Sequence, residues 1–146
     1  MKLKIMDVER IIVNIPFTPR QEIITIREVP NWSISEVIRL TTDAGLVGYG
    51  ETLLHYTWGQ VTDAAIERVK GQNPADFLGD DSLGPGLQMA IYDVVGKALG
   101  VPCYKLMGQK VRDWCPISWW SIDTTPEFYA AEAKDAVEQG YMSLKI

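Results

Sequence analysis

Apolar positions recur along the chain in two periods, and the change from one to the other marks its organisation. Over Lys2–Pro16, Leu3, Ile5, Ile11, Val13 and Ile15 share one parity. Asp7 and Glu9 interrupt it, which predicts a long strand with a bend or bulge at its middle. Ser33–Thr42 alternates again, with Ile34, Ile38 and Leu40 on one face and Ser35, Arg39 and Thr41 on the other. Asp43-Ala44-Gly45 supplies a turn, and Val47–Thr52 is the returning strand, making a three-stranded antiparallel sheet with the first. The period then lengthens. Val61, Ala65 and Val69 align along a helix from Gln60 to Lys70, and Asn73 caps a short helix that opens with Pro74. Leu87, Ala90, Ile91, Val94, Val95 and Ala98 form a continuous helical stripe, preceded by Pro85-Gly86 and closed by Gly100 and Pro102. Asp93 and Lys97 stand off this stripe as an exposed pair four residues apart. Tyr104–Gly108 reads as one further turn. Strands followed by helices predict an α+β domain.

A different order follows. Cys115–Ile122 reads as a strand, Thr125 as a cap, Pro126–Gln139 as a helix ended by Gly140, and Tyr141–Ile146 as a second strand. This is a βαβ unit whose strands are expected to run parallel with a right-handed crossover. Two parallel strands neither close a sheet nor cover both its faces, so the chain is expected to stop inside a domain, as a fragment of a longer protein. The expected boundary lies between Gly108 and Asp113, giving domains 1–110 and 111–146. Two stretches carry loop signals. Pro16–Asn31 is bracketed by Pro16, Pro19 and Pro30, and holds Phe17, Arg20, Gln21, Glu22 and Arg27 around Ile23, Ile24 and Ile26. Leu53–Gly59 holds His55, Tyr56 and Trp58. A loop as long as Pro16–Asn31 is expected to be either a lid or disordered, and the polar-aromatic composition of both stretches suits lids.

Charge and cysteines narrow the function class. The net charge is −5 and no two basic residues are adjacent, so the footprint of a nucleic-acid binder is missing. Asp7, Glu9 and Arg10 break up any signal-peptide core, and no apolar run is long enough to span a membrane. Cys103 and Cys115 lack a C-x-x-C spacing and read as reduced thiols of a cytoplasmic protein, with a disulfide between the two as the alternative.

The run Ala90–Pro102, with Tyr104 and Leu106-Met107-Gly108 after it, resembles the last helix of the capping domain in the enolase superfamily, mandelate racemase/muconate-lactonizing branch. Gly45-Leu46-Val47-Gly48-Tyr49-Gly50-Glu51 resembles that family's G-x-x-G-x-G-E hairpin, and Ser143-Leu144-Lys145-Ile146 the start of its K-x-K strand. The resemblance implies an α+β capping domain followed by the start of a (β/α)-barrel. It also implies a Mg²⁺-dependent enzyme that removes a proton α to the carboxylate of a small acid, by racemisation or epimerisation, cycloisomerisation or acid-sugar dehydration. The metal ligands are implied beyond residue 146, and the full-length protein is implied to be a homo-oligomer. A stand-alone, non-catalytic binding or interaction module is the rival reading.

Within that resemblance Lys145 is the catalytic candidate, as the first lysine of K-x-K. Parity sets Tyr141, Ser143 and Lys145 on one face of the last strand, and Met142, Leu144 and Ile146 on the other. An ammonium at the carboxylate is useful because the enediolate carries its extra charge on the two carboxylate oxygens. Alternation sends only one of Trp119 and Trp120 inward. If Trp119 faces the helices, Trp120 is a substrate-cavity candidate. His55 and Tyr56 are candidate substrate contacts on the second loop. Arg20 and Arg27 are candidate carboxylate partners, because guanidinium binds that group in a fork, or simply surface charges. Asp80-Asp81 reads as a solvated turn, and neither cysteine as a nucleophile.

Overall fold

The computed structural model describes residues 3–25, 29–56, 58–122 and 125–145. Its elements in chain order are β1 (Ile5–Asn14), α1 (Pro19–Thr25), β2 (Ile34–Thr42), β3 (Val47–Leu53) and α2 (Asp63–Val69). There follow α3 (Pro85–Leu99), α4 (Tyr104–Met107), β4 (Trp119–Trp120), α5 (Pro126–Glu138) and β5 (Leu144–Lys145). Contacts group them into two units, Met1–Ile15 with Asn31–Lys110 and Pro16–Pro30 with Val111–Ile146.

In the first unit β1, β2 and β3 form an antiparallel sheet in that order. The β1–β2 register shifts between Ile5 and Asp7, where the charged residues interrupt the pattern. One extra residue reverses which parity faces the core. Leu3, Ile5 and then Val8 are therefore buried, whereas Ile11 and Ile15, read as continuing the inner row, are exposed. Gly45 turns the β2–β3 hairpin at φ 76°, its N–H donating to the Thr42 carbonyl at 3.0 Å.

α3 lies directly on β3. Gly48 and Gly50 are buried, and a Cβ on either would run into the α3 backbone, at the carbonyls of Ala90 and Gly86 respectively. The glycines of the hairpin motif thus have two uses, a positive φ at Gly45 and close approach at Gly48 and Gly50. Asp93 and Lys97 do more than pair along the helix. Asp93 Oδ2 accepts from Lys97 Nζ at 2.7 Å and from the Tyr49 N–H at 2.8 Å, and Lys97 Nζ also donates to the Val47 carbonyl at 2.8 Å. The pair clips α3 to the edge strand. Leu87, Ala90, Ile91, Val94 and Val95 meet Ile38, Leu40, Val61 and Val69 in one core.

α2 starts at Asp63 rather than Gln60 because Thr62 caps it, its Oγ1 accepting from the Ala65 N–H at 3.2 Å. The Val61 N–H goes instead to Glu36 Oε1 at 2.8 Å. Asn73 caps a short 3₁₀ turn, Pro74–Phe77, as its proline foretold.

The second unit corrects the sequence reading in three places. Pro16–Asn31 is not loop throughout. Pro19 opens α1, Thr18 Oγ1 accepts from the Gln21 N–H at 3.3 Å, and the Glu22 N–H donates to the Thr18 carbonyl at 2.8 Å. A proline at the first helical position after a threonine is a helix start, and counting prolines as loop markers hid it. Ile26 and Arg27 lie outside the described residues. The strands are also shorter than Cys115–Ile122 and Tyr141–Ile146. β4 and β5 pair in parallel over two residues, Trp119 with Leu144 and Trp120 with Lys145. Each has one neighbour in this sheet, so the ladder holds only where both backbones are in reach, as between the Trp119 N–H and the Ser143 carbonyl at 2.9 Å. Tyr141 precedes β5, so strand alternation does not govern it. Its N–H donates to the Ala136 carbonyl at 2.9 Å, and its ring meets Trp119 edge-on at 5.0 Å, not on the Ser143–Lys145 side. Ile146 lies outside the described residues.

Candidate active site

In the second unit, contacts on α5 set the facing of the short parallel pair. Thr125 caps α5, with Oγ1 accepting from the Phe128 N–H at 3.3 Å, and Gly140 at φ 84° ends it. Trp119 Nε1 donates to Glu132 Oε2 at 2.7 Å, so Trp119 is the tryptophan turned toward the helix. The hydroxyls of Ser118 and Ser143 are 2.7 Å apart. The β4–β5 register sets Trp120 beside Lys145, on the face opposite Trp119. Lys145 is exposed and Trp120 half-buried. Two candidates read separately from the sequence are therefore cross-strand partners.

Arg20 is engaged elsewhere. Its Nε donates to Glu132 Oε1 at 3.1 Å, and its Nη2 donates both to Glu132 Oε2 and, at 2.7 Å, to the Trp120 carbonyl. The guanidinium carbon lies 4.3 Å from the centre of the Trp119 ring. The fork expected to receive a substrate carboxylate is closed on a carboxylate of the same chain. Sequence reasoning missed Glu132, although a signal existed. It sits four residues from both Phe128 and Ala136 on the inner stripe of α5, where a charge implies a buried partner.

The first unit carries the other candidates. His55 and Tyr56 are exposed on the turn after β3. Tyr56 stands edge-on to Trp32 at 5.3 Å and tilted against Trp58 at 5.8 Å, so an aromatic trio forms, of which the sequence reading named two members. Asp80 accepts from the Ser82 N–H at 3.1 Å and pairs with Arg68, which makes it a cap rather than a cation ligand. Arg39, on the other face of the sheet from α3, has its pKa raised by hydrogen bonds with Glu9 and Tyr49, a cross-strand structural contact. Cys103 and Cys115 are free thiols. Among the described residues no three His, Cys, Asp or Glu side chains converge as a metal site, and no helix is long and apolar enough to cross a membrane.

No family model matches the chain. It is 34% identical over 136 residues to a D-xylonate dehydratase of Haloferax volcanii, covering 75% of this chain and 32% of that protein. It is 27% identical to an N-succinyl-L-Arg/Lys racemase of Bacillus cereus, covering 77% and 36% of the two chains. Among solved structures, a Streptomyces coelicolor isomerase superposes with a TM-score of 0.66 at 26% identity, over 97% of this chain and 45% of that one. A 2-chloromuconate cycloisomerase of Rhodococcus opacus shares the fold, with a TM-score of 0.75 at 18% identity over 99% of this chain and 43% of that one. The chain spans about a third of the length of the curated relatives it matches.

Proposed function

The chain belongs to the enolase superfamily, in its mandelate racemase/muconate-lactonizing branch, and from that premise we propose that it forms the capping domain and first barrel strands of an enzyme that removes a proton α to a carboxylate. Residues 1–110 are the cap in this reading and 111–146 open the barrel. The observation that carries it is the parallel Trp120–Lys145 pair, an exposed ammonium on a short strand that follows a three-stranded cap.

The substrate is a small carboxylic acid. Dehydration of a sugar acid stands first, because the 34% identical relative is a D-xylonate dehydratase, with racemisation second. Lys145 binds the carboxylate and offsets charge as the enediolate forms, and that help is greatest where the charge is greatest. Trp120 borders the carboxylate, and within the first unit His55 and Tyr56 are the proposed substrate contacts. Arg20 is read here through its pairing with Glu132 and the Trp120 carbonyl. The described residues do not fit a Mg²⁺ site, since hard cations take several oxygen ligands and no such cluster is present. In this reading a Mg²⁺ ion would be held by residues outside 1–146 and would supply positive charge to the substrate carboxylate.

The experiment is α-proton exchange in D₂O, followed by NMR, on a panel of aldonic acids, N-acylated amino acids and muconolactones with the full-length protein and Mg²⁺. Exchange or loss of water on one acid class is expected. A folded, Mg²⁺-loaded protein that neither exchanges an α-proton nor releases water on any member sinks the proposal.

A further inference from the structure

One side chain joins two stretches of the second unit that lie 112 residues apart. Glu132 is 4% exposed, and three donors fill its carboxylate: Arg20 Nε at 3.1 Å, Arg20 Nη2, and Trp119 Nε1 at 2.7 Å. A carboxylate this deeply buried is tolerable only with such pairing. Arg20 Nη2 reaches one acceptor more, the Trp120 carbonyl at 2.7 Å, while the guanidinium lies over the Trp119 indole. A planar five-donor fork can serve two acceptors and a ring face together, and a lysine cannot. Trp120 is the cross-strand partner of Lys145, and the next N–H, of Ser121, donates to the Lys145 carbonyl at 3.0 Å. An unbroken series of contacts therefore runs from α1 through Arg20 to the backbone that carries Lys145.

We propose that Arg20 is a positioning residue, whose bonds to Glu132 and to the Trp120 carbonyl clasp α1 onto the strand–helix–strand unit and hold the strand end bearing Lys145. The catalytic consequence rests on the reading of Lys145 above, whereas the clasp is a property of the resting protein. α1 becomes a fixed footing for the strand–helix–strand unit.

The test uses three variants of the full-length protein. Arg20→Lys keeps the charge and loses the fork. Arg20→Gln deletes the charge and leaves Glu132 buried without its cation. Arg20→Met combined with Glu132→Gln removes both charges and keeps an amide oxygen to accept from Trp119 Nε1, so it is the variant expected to melt near the parent. Hydrogen exchange is measured without ligand. The amides of residues 20–25 and of Ser121 are expected to exchange about tenfold faster or more, the factor that loss of a charged hydrogen bond implies. Turnover on the acid found by the D₂O screen is expected to fall in the double variant while its melting temperature holds, with Arg20→Lys intermediate. Parental exchange at α1 and Ser121 in the folded double variant overturns the clasp. Faster exchange with parental kcat overturns the positioning role. A Lys145→Met enzyme with intact turnover defeats the catalytic reading of Lys145 instead, and the exchange data still decide the clasp.

Discussion

Replacing Gly50 by alanine tests how the cap is held together. A Cβ at Gly50 would strike the Gly86 carbonyl and come within 2.7 Å of the Ala90 nitrogen and 2.9 Å of Met89 Cβ. Two of these three atoms are helix backbone, so no rotamer change relieves the contact. Restoring ordinary separation requires α3 to retreat from β3 by roughly 1 Å, which strips dispersion contacts along the whole interface. The cost of such overpacking is about 3 kcal/mol, a large part of the roughly 5–15 kcal/mol that keeps a domain folded. Gly45→Ala is the matched control. Its Cβ meets nothing within 4 Å, and the penalty comes only from the positive φ of 76°, about 1 kcal/mol. Urea denaturation followed by circular dichroism measures both, with the slope m expected to be unchanged. If Gly50→Ala loses no more stability than Gly45→Ala, close approach is not the reason for glycine in β3, and the packing argument fails.

Three further outcomes are expected. Lys145→Met in the full-length enzyme should keep its melting temperature, because Lys145 is exposed, and lose about 10²- to 10³-fold in turnover on the identified acid; parental turnover in steady-state kinetics would remove Lys145 from the mechanism. Thr62→Ala deletes the bond to the Ala65 N–H at the start of α2 and should cost about 1 kcal/mol in urea titration, while an unchanged midpoint would mean solvent caps that helix equally well. The turn Leu53–Gly59, carrying His55 and Tyr56, should gain protection from hydrogen exchange when the acid and Mg²⁺ bind the full-length protein, and equal protection in both states would exclude it from the site.

What the chain's own order determined is the set of local, short-range features. The helical stripe of α3, the caps at Asn73 and Thr125 and the positive-φ turn at Gly45 all depend on residues within a few positions of one another. The interrupted parity at Asp7 marked the bulge correctly, but which residues it turned inward depended on the register with β2, a partner some 30 residues away. Tertiary structure alone decided the rest. Gly48 and Gly50 read as motif letters until α3 is laid against them. By sequence Arg20 is a candidate carboxylate partner or a surface charge, because nothing near it along the chain shows Glu132. A charge on the inner stripe of α5 announces that a partner exists, and only the folded chain says which. Asp93 and Lys97, a modest helix pair by spacing, became a clip to β3 for the same reason. Hydrogen bonds and ion pairs act over a few ångströms of space, and in a chain that folds back on itself that distance bears no fixed relation to distance along the sequence.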